Sequence, residues 1–245
     1  MFSNIYNTIL SQPLFNLLIF FYNILWSDIG LAIIAVTIII RLILYPSFQH
    51  QLKSQKRLQQ LQPKMQEIKA KHKDSPEQQS RAMMELYKSE GVNPLGSCLP
   101  IIVQLIVLIA LYRVFLTGLN GEALQNLYSF IPNPGTIDPI SFGFLDLSES
   151  NIWLAVVTGI IQFIQSKLMA SLQPKAKPGG GDDKAAMMSS MMSKQFLYVF
   201  PILTVVIGAQ LPAGLVLYWL VTTLFSVGQH LIVMREPKTE LVNPV

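Results

Sequence analysis

The sequence predicts an all-α integral membrane protein with five transmembrane helices and a cytosolic helical hairpin. Of its 245 residues, 51% are hydrophobic and only 13% are charged, whereas charged residues make up about 25% of a typical soluble domain. The apolar runs are long and continuous, unlike the alternating segments of about ten residues that build membrane β-barrels. The spanning segments are therefore predicted to be helices.

The single cysteine, Cys98, excludes an intrachain disulfide and a multi-cysteine metal site. The N-terminal stretch MFSNIYNTILSQPLF has no basic region ahead of its apolar residues and no Ser- and Arg-rich amphipathic segment. No standard signal peptide or organellar transit peptide is therefore visible. Unless the chain has been processed, these features favour the plasma (inner) membrane of a bacterium.

Residues 1–28 are predicted to form an interfacial helix on the outer face of the membrane. The apolar run from Pro13 to Trp26 is short for a span and contains Asn16 and Asn23. A sixth transmembrane span is the alternative interpretation. The aromatic residues expected to anchor an interfacial helix are Phe15, Phe20, Phe21, Tyr22 and Trp26.

Residues 29–48 are predicted to form the first span, which Ser27 or Asp28 can cap. It carries one charge, Arg41, roughly 18 Å from its start and past the middle of a hydrocarbon layer ~30 Å thick. Burying this charge costs about 2.5–3.5 kcal/mol, and arginine does not lose its proton. Its side chain either snorkels to the nearer face or enters a polar, water-accessible cavity among several helices. The distance from Arg41 to the polar run at Gln49 favours the cavity.

Residues 49–92 are predicted to form a basic, water-soluble helical hairpin, because they hold nine of the eighteen Lys and Arg residues. Ser75, Pro76 and Gln78 supply an N-cap, a first-turn proline and a capping-box glutamine, and Gly91 is placed to end the second helix. The alternative is a solvated surface whose charges only set topology. The candidate recruiting residues are Lys53, Lys56, Arg57, Lys64, Lys69 and Arg81.

Residues 93–233 are predicted to contain four further spans. These run over residues 95–116, 152–172, 196–209 and 213–233, with an outer loop at 117–151 and a cytosolic loop at 173–195. The last two spans are joined by three residues and form a transmembrane hairpin. Polar side chains in the spans either hold helices together or, with Arg41, line a wet groove. The polar residues singled out are Gln104, Gln162, Thr222, Thr223, Ser226 and Gln229.

The positive charges alternate from one connection to the next. Lys and Arg are absent from residues 1–28, from 117–151 and from the connection between the last two spans. Nine lie in the hairpin, four in the loop at 173–195 and two in the tail at 234–245. Because basic residues in short loops stay on the cytoplasmic side, the N-terminus is predicted to lie outside and the C-terminus in the cytoplasm.

Four stretches follow one another in a characteristic order. They are TIIIRLILYP in the first span, LQPKMQEIK and MMELYKSEGVNPLGSCLP in and after the hairpin, and FPILTVVIGAQLPAGLVLYWLVTTLFSVGQH in the last two spans. Together, over residues 12–230, they resemble the YidC/Oxa/Alb membrane protein insertases. The resemblance implies a five-helix core forming a hydrophilic groove that is closed to the outside and open to the cytoplasm and laterally to lipid.

In this family the groove arginine corresponds to Arg41 and the cytosolic hairpin to residues 50–91, while Gln104 and the polar face of the fifth helix match groove positions. The implied activity, as insertase and chaperone, is to receive nascent membrane proteins and release them into the lipid bilayer, often with the ribosome or the Sec translocon. No cofactor and no specific nucleic-acid recognition are implied. The tail EPKTELVNPV is short and not basic, so ribosome docking is expected at the hairpin and at residues 173–195.

Two other classes of function fit the sequence less well. A small-solute transporter or channel would also use an intramembrane arginine, but no inverted repeat and no paired acid for a proton relay are evident. An intramembrane hydrolase needs a nucleophile and a base at membrane depth, and the histidines His50, His72 and His230 lie in the hairpin or at a helix end. We therefore expect neither catalytic nor metal-binding residues.

Overall fold

The computed structural model describes residues 7–92, 104–112, 122–171 and 197–235. Its α-helices in chain order are α1 (Gln12–Ile24), α2 (Ile29–Ile43), α3 (Tyr45–Gln60), α4 (Gln62–Lys71), α5 (Pro76–Ser89), α6 (104–112), α7 (Ile152–Ser171), α8 (Leu197–Gly208) and α9 (Ala213–Arg235). A π-helix (Asn7–Ser11) precedes α1. A 3-10 helix (Glu122–Asn126) lies in the loop at 117–151, which we call the outer loop after its predicted side, and β1 (Ile140–Ser141) pairs with β2 (Leu145–Asp146) in an antiparallel hairpin. The chain is thus mostly helical, as predicted.

The chain divides into two compact units. We name Met1–Leu44, Ile101–Gln162 and Pro201–Ser226 the core unit, and Tyr45–Pro100, Phe163–Phe200 and Val227–Val245 the hairpin unit. The apolar core of the core unit draws buried side chains from α1, α2, α6, α9 and the outer loop.

Two described helices, α7 and α9, are each long and apolar enough to cross a membrane. The pair α2 and α3 qualifies when taken together, and α8 is apolar but shorter. Within the described ranges there are therefore two candidate spans, or three when the bent pair is one span. The total of five spans stays a prediction, and the predicted second span, 95–116, lies mostly outside the described residues.

The predicted first span, 29–48, is interrupted. Helix α2 ends at Ile43 and α3 begins at Tyr45, with a bend of 61° between them. Pro46 explains the break, because proline has no backbone N–H and its ring clashes with the carbonyl four residues earlier. Arg41 therefore lies in the last turn of α2, and the helix does not continue straight from Arg41 to the polar run at Gln49.

The start of α2 is held by Asp28. Its side chain accepts hydrogen bonds from the backbone N–H groups of Gly30 at 2.8 Å and Leu31 at 3.1 Å, which satisfies two of the free donors at a helix N-terminus. Of the two predicted caps, Asp28 is therefore the one used. Buried positions then recur along one face of the helix: Ile29, Ala32, Ile33, Val36, Thr37 and Arg41.

Helix α1 packs one face into the apolar core. Phe15 and Tyr22 are 4% and 3% exposed there. The prediction that these two residues anchor the helix in the membrane interface is therefore wrong, because helical spacing places them beside Leu18 and Ile19 on the packed face. Trp26, beyond the helix, is exposed.

The polar residues of α1 bind the outer loop. Asn16 accepts a hydrogen bond from the Tyr128 backbone N–H at 2.6 Å, and Asn23 donates to the Pro132 carbonyl at 2.8 Å. The Tyr22 hydroxyl accepts from the backbone N–H of Asp138 at 3.0 Å. The asparagines that make this segment too polar for an ordinary span are thus attachment points for the loop.

The outer loop also caps α9 and contacts α2. The backbone N–H of Ala213 donates to the carbonyl of Glu149 at 2.7 Å, and that of Gly214 donates to Leu147 at 3.0 Å. The Ser141 hydroxyl accepts from Gly30 N–H at 2.7 Å. A Cβ on Gly30 would lie 2.8 Å from the Ser141 hydroxyl oxygen, so only glycine allows this approach.

Helices α7 and α8 pack closely through small residues. A Cβ built on Gly159 would overlap the Val205 side chain, and one on Gly208 would lie 3.1 Å from the Ala155 Cβ. Small residues allow two helix backbones to approach, which explains why this contact contains glycines.

The second helix of the hairpin begins and ends at the predicted capping residues. Ser75 caps α5 through the Gln78 N–H at 3.4 Å, and Gly91, with φ of 63°, ends it in a Schellman motif in which Val92 N–H donates to the Tyr87 carbonyl. The predicted capping box is only half formed, because the Gln78 side chain contacts His72 instead. The base is closed by an ion pair of 2.6 Å between Lys64 and Glu90.

Candidate functional site

Arg41 lies on the buried face of α2, one turn after Thr37, and is 7% exposed. Its Nη2 donates a hydrogen bond of 3.4 Å to Oε1 of Gln104 on α6. Tyr218 on α9 is close enough to interact with the guanidinium electrostatically. A snorkelling side chain would stay exposed at the end of its helix, so this burial favours the interior interpretation of the two that the sequence left open.

Gln162 joins α7 to α9. It is 6% exposed, and its Oε1 accepts hydrogen bonds of 3.4 Å from Nε1 of Trp219 and from the hydroxyl of Thr223. The Thr223 hydroxyl also lies 2.8 Å from the Trp219 carbonyl. The hydroxyl has one proton, and the nearer carbonyl takes it. The indole N–H of Trp219 is therefore the main hydrogen-bond donor to Gln162.

The hydroxyl groups of the site donate back to their own helices. Thr223 donates to the Trp219 carbonyl, Ser226 donates to Thr222 at 3.0 Å, and Thr37 donates to Ile33 at 2.6 Å. Such bonds reduce the cost of burying a hydroxyl, because they use its one proton within the helix. Arg41, with five N–H groups, therefore offers more hydrogen-bond donors than any other predicted groove residue.

Six of the seven residues predicted to line the groove belong to the core unit, and Gln229 belongs to the hairpin unit. The structure joins four of the six in two groups. Arg41 and Gln104 meet near Tyr218, and Gln162 meets Thr223 and Trp219. Thr222 links the groups along α9, since Tyr218 interacts with its side chain. The sequence analysis missed Tyr218 and Trp219, although they precede the two threonines by four residues and so share their helix faces.

The six predicted hairpin residues differ in their surroundings. Lys56 is buried, and its Nζ donates to the carbonyl of Val233 at 2.8 Å in the last turn of α9. Nearby, Gln59 Nε2 donates to the carbonyl of Ser171, the last residue of α7, at 2.6 Å. Carbonyl groups at helix ends lack intrahelical partners, so Lys56 and Gln59 cap two candidate spans. Lys56 therefore makes a structural contact that its prediction as a recruiting residue did not include.

The other hairpin residues lie nearer the surface. Lys64 pairs with Glu90, while Arg81 lies 4.0 Å from Glu85 on an exposed face. Lys53 and Arg57 are half-buried. Lys69 borders a cavity of about 250 Å³ between α4 and α5, whose other lining residues are Pro76, Gln79, Ser80, Met83, Met84 and Tyr87.

At the start of α2, the opposite end from Arg41, the Asp28 carboxylate accepts several hydrogen bonds. Burial raises the pKa of Asp28, but hydrogen bonds from the backbone of Phe142, Leu31 and Gly30 and from the Ser141 hydroxyl outweigh it and lower that pKa. The carboxylate is therefore charged at neutral pH and fastens the β1–β2 turn to the start of α2.

These features define a class of protein: a helical membrane protein with a basic hairpin, a buried arginine that contacts Gln104, and a buried glutamine, Gln162, between two of its helices. The family model described as 60Kd inner membrane protein matches residues 20–240. The chain therefore belongs to the YidC/Oxa/Alb family of membrane protein insertases.

Relatives named membrane protein insertase YidC support this assignment. The Fusobacterium nucleatum protein is 36% identical over 210 residues, which cover 86% of this chain and 88% of the relative. The Oceanobacillus iheyensis protein is 34% identical over 235 residues, or 94% and 84% of the two chains. The Pelagibacter ubique protein is 36% identical over 235 residues, covering 93% of this chain but 39% of that relative. This chain thus spans most of the first two relatives and about two fifths of the third.

Proposed function

We propose that this chain is a membrane protein insertase that receives nascent hydrophobic segments in a hydrophilic groove and releases them sideways into the bilayer. The observation that carries the proposal is Arg41, buried in the last turn of α2 and bonded to Gln104. A permanent charge in this position is costly unless it is matched by a partner or a function. The names of the relatives agree with an insertase.

The groove would lower the barrier to moving a polar tail. Desolvation opposes the transfer of polar groups through ~30 Å of hydrocarbon, and a wet notch entered from the cytoplasm shortens the dry path. Arg41 would attract an acidic residue of the tail with charge-assisted hydrogen bonds. The hydroxyl oxygens of Thr222, Thr223 and Ser226 would accept hydrogen bonds from polar groups that lack charge.

The driving force needs no covalent step and no nucleotide. Apolar parts of the incoming segment would contact lipid at the opening of the groove, near the third and fifth predicted spans, and would then partition into the bilayer. Burial of a new apolar helix supplies the free energy. The substrates are nascent membrane proteins, and we propose the ribosome and the Sec translocon as partners, docking at the hairpin and at residues 173–195.

The proposed arrangement has five spans with the N-terminus outside and the C-terminus in the cytoplasm of the cell, and α1 lies outside the hydrocarbon layer. The charge alternation supports the orientation. The position of α1 is supported by its loop contacts, which reach from Asn16 to Asn23. Irregular backbone exposed to lipid is not tolerated in the hydrocarbon layer, so a helix lined by such a loop is better placed at the surface.

The orientation predicts which positions an impermeant thiol reagent reaches. With Cys98 replaced by serine, a single cysteine at Ser129 should be labelled from outside intact cells, whereas one at Ala176 should be labelled only after the membrane is permeabilised. Both positions fall in loops of opposite predicted charge, so each is the control for the other. Labelling of position 176 in intact cells would contradict the five-span arrangement.

The function itself is tested with the purified protein in vesicles. A labelled single-span substrate should become protected from protease when the protein is present, while ion flux through the same vesicles stays at the level of empty ones. Protein-free vesicles and heat-inactivated protein are the controls. Ion conduction without substrate protection would instead indicate a transporter or channel.

A further inference from the structure

The most exposed large apolar side chains of the described residues are all aromatic. Trp26 is 86% exposed, Phe144 82%, Trp153 78% and Phe130 75%. All four belong to the core unit. Large aromatic side chains are seldom left this exposed in a folded protein unless something covers them.

Three of the four lie at one end of the core unit, where α2, α7 and α9 begin. Trp26 stands two residues before Asp28, the cap of α2. Phe144 lies in the turn between β1 and β2, and Asp28 fastens that turn by accepting the Phe142 N–H at 2.7 Å. Trp153 is the second residue of α7. Phe130 lies elsewhere in the loop, and within the described ranges it makes no hydrogen bond to Asp28 or to the start of α7.

The backbone is strained where the aromatic residues are presented. Among the described residues, the non-glycine positions with positive φ are Trp26 at 54°, Ser27 at 55° and Phe142 at 56°. A left-handed conformation is unfavourable for bulky L-residues, so it persists only where the surroundings enforce it. At Phe142 the surroundings include the hydrogen bond from its backbone N–H to Asp28. Around Trp26 and Ser27 they include backbone hydrogen bonds from Ser27 to Tyr22 and from Asp28 to Leu25.

The surface below Trp153 is apolar along the length of α7. Trp153, Val157, Ile160 and Ile164 follow one another at helical spacing, and all four are exposed. On a candidate membrane span such a stripe faces lipid. Trp153 ends this stripe at the helix N-terminus, which is the position that tryptophan prefers at a membrane–water interface.

We propose that Trp26, Phe144 and Trp153 form an aromatic anchor that sits in the headgroup region of the bilayer at this end of the core unit. The occupant of the surface is lipid, because the anchor continues the apolar stripe of α7. The outer loop then lies on the membrane instead of projecting into water. The anchor also fixes the depth at which α2 begins, and thereby the depth of Arg41 twelve residues further along.

The three tryptophans of the chain, Trp26, Trp153 and Trp219, allow a direct test. Variants that keep one tryptophan and replace the other two with phenylalanine are reconstituted in vesicles containing lipids brominated either near the headgroup or near the chain ends. Trp26 and Trp153 should be quenched at least about twofold more by the shallow bromines than by the deep ones. Aqueous iodide should quench both only weakly. Trp219, half-buried beside Gln162, is the matched internal control.

Two results would overturn the proposal. Strong quenching of Trp26 and Trp153 by iodide, with none by brominated lipid, would place the surface in water. Protection from both quenchers would mean that protein covers it. If a tryptophan variant fails to fold, Phe144→Cys in a Cys98→Ser background carries a nitroxide instead, and its collision rates with oxygen and with a water-soluble nickel complex must give an interfacial depth.

Discussion

Arg41→Ala is expected to block insertion of substrates whose translocated tails carry Asp or Glu. Hydrogen bonds to charged groups contribute about 1.5–3 kcal/mol, so the insertion rate of such a substrate should fall roughly 10- to 150-fold. A matched substrate with Asn and Gln at the same positions should lose much less. Insertion is measured in reconstituted vesicles and normalised to the amount of folded protein.

Two companion variants separate charge from structure. Arg41→Lys should retain much of the activity, because lysine keeps the charge although it lacks the planar fork of donors. Gln104→Ala removes the 3.4 Å partner of Arg41 and should leave the preference for acidic tails intact. A double-mutant cycle between Arg41 and the substrate acid then measures their coupling. Equal loss for acidic and neutral tails, together with a lower melting temperature, would show that Arg41 is structural.

Deletion of the hairpin tip is expected to leave a folded protein that inserts poorly. Residues 62–90 are replaced by a short flexible linker, which can span the gap because the ion pair between Lys64 and Glu90 shows that the two ends of the deleted stretch lie close together in the parent. Recruitment raises the local concentration of a nascent chain, so its loss should lower the initial insertion rate about tenfold or more. The melting temperature should stay close to that of the parent, because α3 and its contacts are retained.

Lys56→Met is the matched control for that deletion. It keeps the other five predicted recruiting residues but leaves the Val233 carbonyl without its 2.8 Å donor, at a cost of about 1–3 kcal/mol. This variant should melt earlier than the parent while the folded fraction recruits normally. If the variant that lacks residues 62–90 inserts substrates normally, then the hairpin tip only determines topology and does not recruit.

The features that could be predicted from the sequence are those that a short stretch encodes. A lone charge in an apolar run marked Arg41, and Ser75 with Pro76 marked the start of α5. The bend at Leu44 was missed because the apolar run continues past it, although Pro46 is a sufficient local cause. Hydropathy reports where the chain is apolar, whereas a helix break depends on backbone hydrogen bonds.

Burial against distant residues could not be predicted in this way. Phe15 and Tyr22 have the composition of interfacial anchors, and only the fold shows that they face the core. Lys56 has the composition of a solvated basic surface, yet its partner lies in the last helix. Tyr218 and Trp219 lie in an apolar stretch, and their value to the site comes from the residues that approach them from α2 and α7. Each of these outcomes depends on tertiary contacts that a local pattern does not contain.

The contact between Lys56 and Val233 has a consequence for the biogenesis of the protein itself. The two residues are 177 positions apart, and Gln59 is 112 positions from Ser171. At about 5–20 residues per second, synthesis of the later partner of Lys56 takes roughly 9–35 s. During that time Lys56 lacks the carbonyl that it caps, although Gln59 gains its partner Ser171 after 112 residues. A newly made copy therefore completes this contact only when its last helix emerges, and chains that stop before Val233 leave the ribosome with the Lys56 side chain lacking this partner.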